Sequence, residues 1–99
     1  MKYKIIATVK DVRGYCPIYR VGDSFIIEWF YIKTENSSNI CLHALSSMLT
    51  LISAFIHGSS AKNLGIGSED DVGYIQCPDL GPPYTKGGTV IFELRRLKI

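Results

Sequence analysis

The sequence predicts an α+β fold in which a small antiparallel β-sheet, with elements in the order β-β-α-β-β, packs on one long apolar helix. Residues 2–12 and 88–97 alternate apolar and polar side chains, which is typical of half-buried strands. Residues 40–57 repeat apolar side chains at steps of three and four, which is typical of a helix. A chain of 99 residues has the length of one domain, predicted to span residues 1–99.

The strands follow from local composition. In the first strand, Tyr3, Ile5, Ala7 and Val9 are predicted to face the core. Residues 24–33 are β-branched and aromatic at both alternating positions, which predicts a strand covered on both faces or by a partner chain. A short strand at 72–77 and a longer one at 88–97 complete the predicted sheet.

The helix is predicted from Ile40 to His57, with Gly58 as its C-terminal cap. Its main apolar stripe consists of Leu45, Met48, Leu49, Ile52, Phe55 and Ile56. Three further apolar positions widen the stripe until it almost surrounds the helix, namely Leu42, Leu51 and Ala54. Such a helix is expected to be well buried, and residues 58–71 are expected to form a flexible loop.

Charge and cysteine content limit the functional classes. A formal charge of +2 is too small to indicate a nucleic-acid or anionic-membrane partner, so neither is expected. The basic residues Arg95, Arg96 and Lys98 are interpreted as the solvated face of a strand. The amino-terminal residues lack the apolar segment of a secretory signal, and three cysteines are an odd number. The protein is therefore expected to be cytoplasmic with reduced thiols.

Three sequence segments carry unusual residues, and they read "VRGYCPIYRVGDSFIIE", "ICLHAL" and "VGYIQCPDLGPPYTKGGTVIFELRR". Together they resemble a family of uncharacterised prokaryotic proteins of about 100 residues with G-x-C-P…G-D, C-x-H-A-L and C-P-D-x-G-P-P-Y-T-x-G-G-T-V segments. The matching positions are Gly14, Cys16, Pro17, Gly22, Asp23, Cys41, His43, Cys77, Pro78, Asp79, Gly81, Pro82, Pro83, Tyr84, Thr85, Gly87 and Gly88. The resemblance implies a common fold and little about chemistry.

The three cysteines lie at the edges of predicted elements and form the candidate site. If the sheet brings the ends of the first and third predicted strands near the start of the helix, Cys16, Cys41 and Cys77 converge. Thiolates favour zinc, iron–sulfur clusters and other soft-ligand metals, and His43 would complete a tetrahedral zinc site. Cys41 and His43 are two residues apart, about 200° around a helix, so they can share a metal only if the helix begins after His43. A three-cysteine site with an open position is geometrically easier.

Other interpretations remain open. Cys41 near a helix N-terminus can be a reactive thiol with His43 or His57 as its base. Cysteine is also a small buried hydrophobe, so all three can be structural. The Pro- and Gly-rich segment after Cys77 is predicted to form a rigid arch. Its exposed side chains would form the rim of a small pocket, and these are Asp79, Tyr84, Thr85 and Lys86.

The preferred interpretation is a three-cysteine soft-metal or redox site, with zinc or an iron–sulfur cluster as the candidate cofactor. The alternative is a non-catalytic interaction or self-associating domain with structural cysteines. Four strands and one helix would leave apolar surface that a homodimer can bury. No reaction or small-molecule ligand is predicted.

Overall fold

The computed structural model describes residues 2–99, which form five strands and two helices. In chain order these are β1 (Tyr3–Gly14), β2 (Ser24–Glu28), β3 (Tyr31–Lys33), α1 (Leu42–Ile56), α2 (Ala61–Leu64), β4 (Val72–Gln76) and β5 (Gly88–Lys98). The predicted single domain includes Met1, which lies outside the described residues.

The strands form one antiparallel sheet in the order β3-β2-β1-β5-β4. β1 and β5 are the long central pair, with Tyr3 opposite Lys98 at one end and Gly14 opposite Gly88 at the other. β5 is antiparallel to β4 as well as to β1. The carboxyl ends of β1 and β4 therefore both lie beside the amino end of β5, and this geometry positions the candidate site.

The core lies between the helices and one face of the sheet. Alternate residues of β1 are buried there, and they are Ile5, Ala7 and Val9. Phe92 of β5 is fully buried at the centre and makes edge-to-face contacts with Tyr19 and Phe25, with ring centroids 5.3 and 6.0 Å apart. Burial of aromatic rings in such contacts supplies much of the stability of a small core.

The opposite face of the sheet is largely polar. Glu93 of β5 lies there with a side chain that is 10% exposed, and it has three partners. It accepts a hydrogen bond from the Tyr74 hydroxyl at 3.2 Å and forms ion pairs with Lys10 and Arg95, each at 3.5 Å. An antiparallel sheet can leave one face to solvent in this way.

The predicted fold class is wrong. The elements follow the order β-β-β-α-α-β-β, and the sheet has five strands. No long apolar helix exists among residues 2–99, because α1 has 15 residues and α2 has four. α1 also buries only part of its apolar stripe, since Leu42 and Leu49 are 75% and 55% exposed. The stripe was broader than the face that the sheet covers.

The predicted strand at residues 24–33 is two strands joined by a turn at Trp29 and Phe30. Trp29 has a φ of 59°, in the left-handed region. That conformation costs a side-chain-bearing residue roughly 1–2 kcal/mol, and Asn or Gly normally occupies it in hairpins. The β-branched and aromatic composition therefore predicted a continuous strand, and the turn carries no sequence signal.

The predicted loop at residues 58–71 contains α2. Ser60 caps this helix, because its side-chain oxygen accepts a hydrogen bond from the Asn63 amide at 3.0 Å. Gly65 ends it in the left-handed conformation with a φ of 77°.

The sequence predicts that the basic residues of β5 all face solvent, but one of them is buried. Arg95 is exposed, whereas Arg96 is only 6% exposed. Side chains of successive strand residues point to opposite faces, and Arg96 is on the helix-covered face.

The Arg96 side chain connects β5 to the end of α1 and to the segment that precedes β4. Its Nη1 atom donates hydrogen bonds of 2.7 Å to the carbonyl oxygens of Phe55 and Ser59. Its Nε and Nη2 atoms donate to one carboxylate oxygen of Asp71 at 3.0 and 2.9 Å. The guanidinium lies 4.5 Å from the ring centroids of Tyr3 and Phe55. A buried charge is tolerated only when it is paired and hydrogen-bonded in this way.

Within residues 2–99, neither helix has the length and apolar composition needed to cross a membrane.

Candidate functional site

The three cysteines come from separate segments that the fold brings to one place. Cys16 follows β1, Cys77 follows β4, and both strand ends flank the start of β5. Cys41 immediately precedes α1. All three line one cavity of about 400 Å³, and all three are free thiols.

The remaining lining residues are Tyr15, Pro17, Ile18, His43, Pro78, Asp79 and Gly88. His43 and Asp79 are site residues predicted from the sequence, whereas Tyr15 and Ile18, which are 66% and 44% exposed, are not. Both are large apolar residues inside a predicted turn, and that position was the signal that could have identified them.

Gly88, which lines the cavity, and Gly14, its partner on β1, let the Cys16 and Cys77 segments approach. A Cβ atom on Gly88 would lie 2.4 Å from the Arg13 carbonyl oxygen and 2.5 Å from the Tyr15 nitrogen. A Cβ on Gly14 would lie 2.8 Å from the Gly87 carbonyl oxygen. All of these neighbours are backbone atoms, so the close approach requires glycine.

Backbone amides donate to two of the three sulfurs. The Cys16 sulfur accepts a hydrogen bond from the Tyr19 amide at 3.4 Å. The buried Cys77 sulfur accepts one from the Val90 amide at 3.2 Å, and its thiol donates to the Gly88 carbonyl at 3.7 Å. These contacts orient both sulfurs, and of the two residues only Cys77 is buried.

Cys41 is held by Tyr19. The Tyr19 hydroxyl oxygen accepts a 2.8 Å hydrogen bond from the Cys41 amide. Tyr19 is 4% exposed, and this burial is the main cause that raises its pKa; the hydrogen bond from the Cys41 amide lowers the pKa, and the nearby Cys41, Cys16 and Asp23 side chains raise it. Tyr19 therefore stays neutral and links the Cys16 segment to the start of α1.

The start of α1 decides how His43 relates to Cys41. The helix begins at Leu42, so His43 lies within it and Cys41 is its N-cap. The predicted condition for a shared metal, a helix that begins after His43, is therefore not met. Cys41 has extended backbone angles, φ −70° and ψ 125°. Both residues line the cavity, and His43 is an exposed residue.

His57 lies at the other end of α1, against the Phe30 ring at 5.5 Å. It lines a second, apolar cavity rather than the cysteine cavity. It is therefore not placed to act as a base for Cys41.

The predicted rim is only partly at the cavity. Asp79 lines it, whereas Tyr84, Thr85 and Lys86 are exposed residues outside the lining. Thr85 still contributes, because its hydroxyl donates a hydrogen bond to the Asp79 carboxylate. The Gly81 amide donates to the same carboxylate at 2.9 Å.

These hydrogen bonds stabilise the ionised form of the Asp79 carboxylate and so lower its pKa. The Thr85 hydroxyl is the largest cause that lowers the Asp79 pKa, followed by the Gly81 amide. Because the folded-state pKa lies below the unfolded value, the stabilisation is complete above the unfolded pKa. It is lost as the pH falls through the folded-state pKa.

We expect Thr85→Val to raise the Asp79 pKa towards its ordinary value, because the main donor to the carboxylate is removed. An NMR titration of the aspartate side-chain carboxyl carbons measures this. Thr89→Val is the matched control, because the Thr89 hydroxyl donates to the Asp79 backbone carbonyl and not to its carboxylate. Equal Asp79 titration curves in both variants would contradict the assignment.

The cavity does not contain a formed metal centre. Among residues 2–99, no group of three or more Cys, His, Asp or Glu side chains is placed to hold a metal ion. The three thiols line one cavity, but their sulfurs are not grouped closely enough to hold a metal ion.

Comparisons with protein-family models, with curated proteins and with solved structures found no match to this chain.

Proposed function

We propose that the cysteine cavity is a soft-metal site in which Cys16, Cys41 and Cys77 are the protein ligands. The observation that carries the proposal is their presence around one cavity, although they come from three distant segments. Thiolates favour zinc, copper(I) and iron–sulfur clusters over hard cations. Asp79, on the same lining, is the candidate for a fourth ligand.

The surroundings of the sulfurs support this proposal. Amide hydrogen bonds to sulfur, such as those from Tyr19 to Cys16 and from Val90 to Cys77, are outer contacts that orient metal-bound thiolates. Cys41 lies beside the free amides at the start of α1, where negative charge is favoured. The Cys16 and Cys77 sulfurs therefore already accept amide hydrogen bonds that metal-bound thiolates can keep, whereas the Cys41 side chain caps none of the helix amides.

Binding requires the sulfurs to move together. Cys77 is buried, and its thiol both accepts a hydrogen bond from the Val90 amide and donates one to the Gly88 carbonyl, so it is the fixed ligand. Cys16 is half-buried, and its neighbours Tyr15 and Pro17 are exposed, so its segment can move towards the cavity. A cavity of about 400 Å³ is larger than one ion, which leaves room for a cluster or for a small molecule on the metal.

The test is an anaerobic titration of the reduced protein with Co²⁺ and Zn²⁺, followed by thiolate-to-cobalt charge-transfer absorbance. We expect one ion per chain. Replacing any one of the three cysteines by serine should weaken binding by more than about 100-fold, since loss of an outer contact alone typically costs 10–100-fold.

The two histidines provide a matched pair of variants. His43→Gln and His57→Gln are both expected to leave metal binding unchanged, because His43 lies within α1 and does not share a metal with Cys41, and His57 lies at the other cavity. A reduced, folded protein that binds neither metal would overturn the proposal. The cysteines would then be structural, and all three would resist alkylation until the protein unfolds.

A further inference from the structure

α1 has an exposed face without charge. Residues 42–56 contain no Asp, Glu, Lys or Arg, although Leu42 and Leu49 are 75% and 55% exposed. The other exposed side chains on this helix include serines and a threonine. A solvated helix face normally carries charged side chains, whereas the centre of a protein interface is depleted of them.

The turn between β2 and β3 extends this face with aromatic rings, and the Lys2 ammonium lies 3.6 Å from the centroid of the Trp29 ring. Trp29 and Phe30 stack with ring centroids 5.5 Å apart, and Phe30 is 74% exposed. Between this turn and α1 lies an apolar cavity of about 300 Å³, to which Leu49 and Ile56 contribute. We call the exposed face of α1 together with this turn the aromatic groove. The left-handed backbone of Trp29 is what presents the two rings beside the helix.

The helix carries a seam that can pair with itself. Leu42, Leu49 and Ile56 are seven residues apart, and Leu45 and Ile52 each lie three residues after one of them. This is the spacing of the a and d positions in helices that pack against each other. Ile52 and Ile56 are already buried in the monomer, so Leu42, Leu49 and the half-buried Leu45 are the residues left to contact a partner. Leu49 is the middle residue of α1. An antiparallel pair centred on Leu49 places the exposed Leu42 of one copy opposite Ile56 of the other.

We infer that the aromatic groove is the interface of a symmetric homodimer, in which the α1 helices of two copies pack antiparallel about Leu49. Leu42 of each copy then enters the groove of the other, between Phe30 and Ile56. The groove thus receives a side chain that the monomer leaves exposed. This inference does not depend on the proposed metal site.

Charge and area favour a second copy as the occupant. None of the described residues that line the cavity is acidic or carries Lys or Arg, so a neutral apolar surface complements it. Trp29, Phe30 and Tyr31 are 45%, 74% and 54% exposed. At about 200 Å² for each aromatic side chain, they leave on the order of 350 Å² uncovered. With the exposed leucines of α1, this forms a large part of the roughly 800 Å² that each partner buries in a stable interface.

The test is sedimentation equilibrium of the reduced protein over a range of concentrations. We expect a mass of twice the 11.0 kDa chain. Leu49→Lys should weaken the dimer by at least about 100-fold, because the symmetry places two lysines against each other at the centre of the interface. Gln76→Lys is the control, since Gln76 is exposed on β4, at the edge of the sheet opposite to β3, and its dimer should persist.

Trp29 is the single tryptophan of the chain and gives a second measurement. Its emission should shift to longer wavelength when the wild-type dimer is diluted, and it should already be shifted in Leu49→Lys at every concentration. Circular dichroism checks that this variant folds; if it does not, Leu42→Ser replaces it and should also weaken the dimer. A wild-type monomer at all concentrations, or a dimer that these variants leave intact, would overturn the inference.

Discussion

Replacing Arg96 by methionine is expected to destabilise the protein by about 3 kcal/mol, because it removes hydrogen bonds from a charged donor that are each worth roughly 1.5–3 kcal/mol, while the Asp71 carboxylate left behind is 61% exposed. The substitution leaves the carbonyls of Phe55 and Ser59 without their guanidinium donor and removes the partner of Asp71. It also removes the cation from the Tyr3 and Phe55 rings. The free energy of unfolding, from urea denaturation followed by circular dichroism, measures the effect.

Arg95→Met is the matched control for this prediction. Arg95 is the next residue of β5, its side chain is 53% exposed, and its ion pair with Glu93 lies on the polar face of the sheet. Exposed ion pairs contribute about 0–1 kcal/mol. Similar losses of stability in the two variants would show that burial of Arg96 does not matter.

Gly88→Ala is expected to cost about 3 kcal/mol, at the upper end of the range for overpacking. The added Cβ would lie within 2.5 Å of two backbone atoms, the Arg13 oxygen and the Tyr15 nitrogen. Neither can move without shifting the end of β1 that leads to Cys16. We therefore also expect the variant to bind Co²⁺ more weakly than the wild type, in the titration described above.

Gly65→Ala controls for the loss of a glycine as such. Among residues 2–99, no atom lies within 4 Å of a Cβ placed on Gly65, although its φ of 77° is left-handed. We expect a cost of only about 1–2 kcal/mol, from the backbone conformation alone, and unchanged metal binding. If Gly88→Ala folded with wild-type stability, the close backbone approach would not be a constraint on the site.

Local side-chain patterns predicted the parts of the fold that depend on local physics. The alternation in β1 identified Ile5, Ala7 and Val9 as buried, because the two-residue period of a strand assigns faces without reference to the rest of the chain. The same pattern could not predict the turn at Trp29, since its left-handed backbone lacks the usual Asn or Gly. The apolar stripe of α1 predicted a helix that is well buried, but the sequence does not indicate how much of such a stripe the sheet covers, and Leu42 and Leu49 are exposed.

Long-range partners were beyond sequence reasoning. The sequence predicts a solvated Arg96. Its burial could not be predicted, because the acceptors that make it possible lie 25 to 41 residues away in the chain. The grouping of the cysteines around one cavity was conditional on sheet order, which the element pattern alone does not determine. The sequence predicts Gly14 as a turn residue and Gly88 as a glycine that permits a close backbone approach, but the backbone atoms that they contact required the three-dimensional structure.

The central pairing of β1 with β5 has a consequence for the order of folding. The register that joins Tyr3 to Lys98 closes a loop of nearly the whole chain, at an entropic cost on the order of 4 kcal/mol. This pairing is therefore expected to form late, after the shorter-range β1–β2 and β4–β5 hairpin contacts. The cavity exists only once it has formed. The thiols should consequently become separated in a single step when the strands part, so that the rate at which Cys77 reacts with an alkylating reagent reports global unfolding and not local motion of a loop.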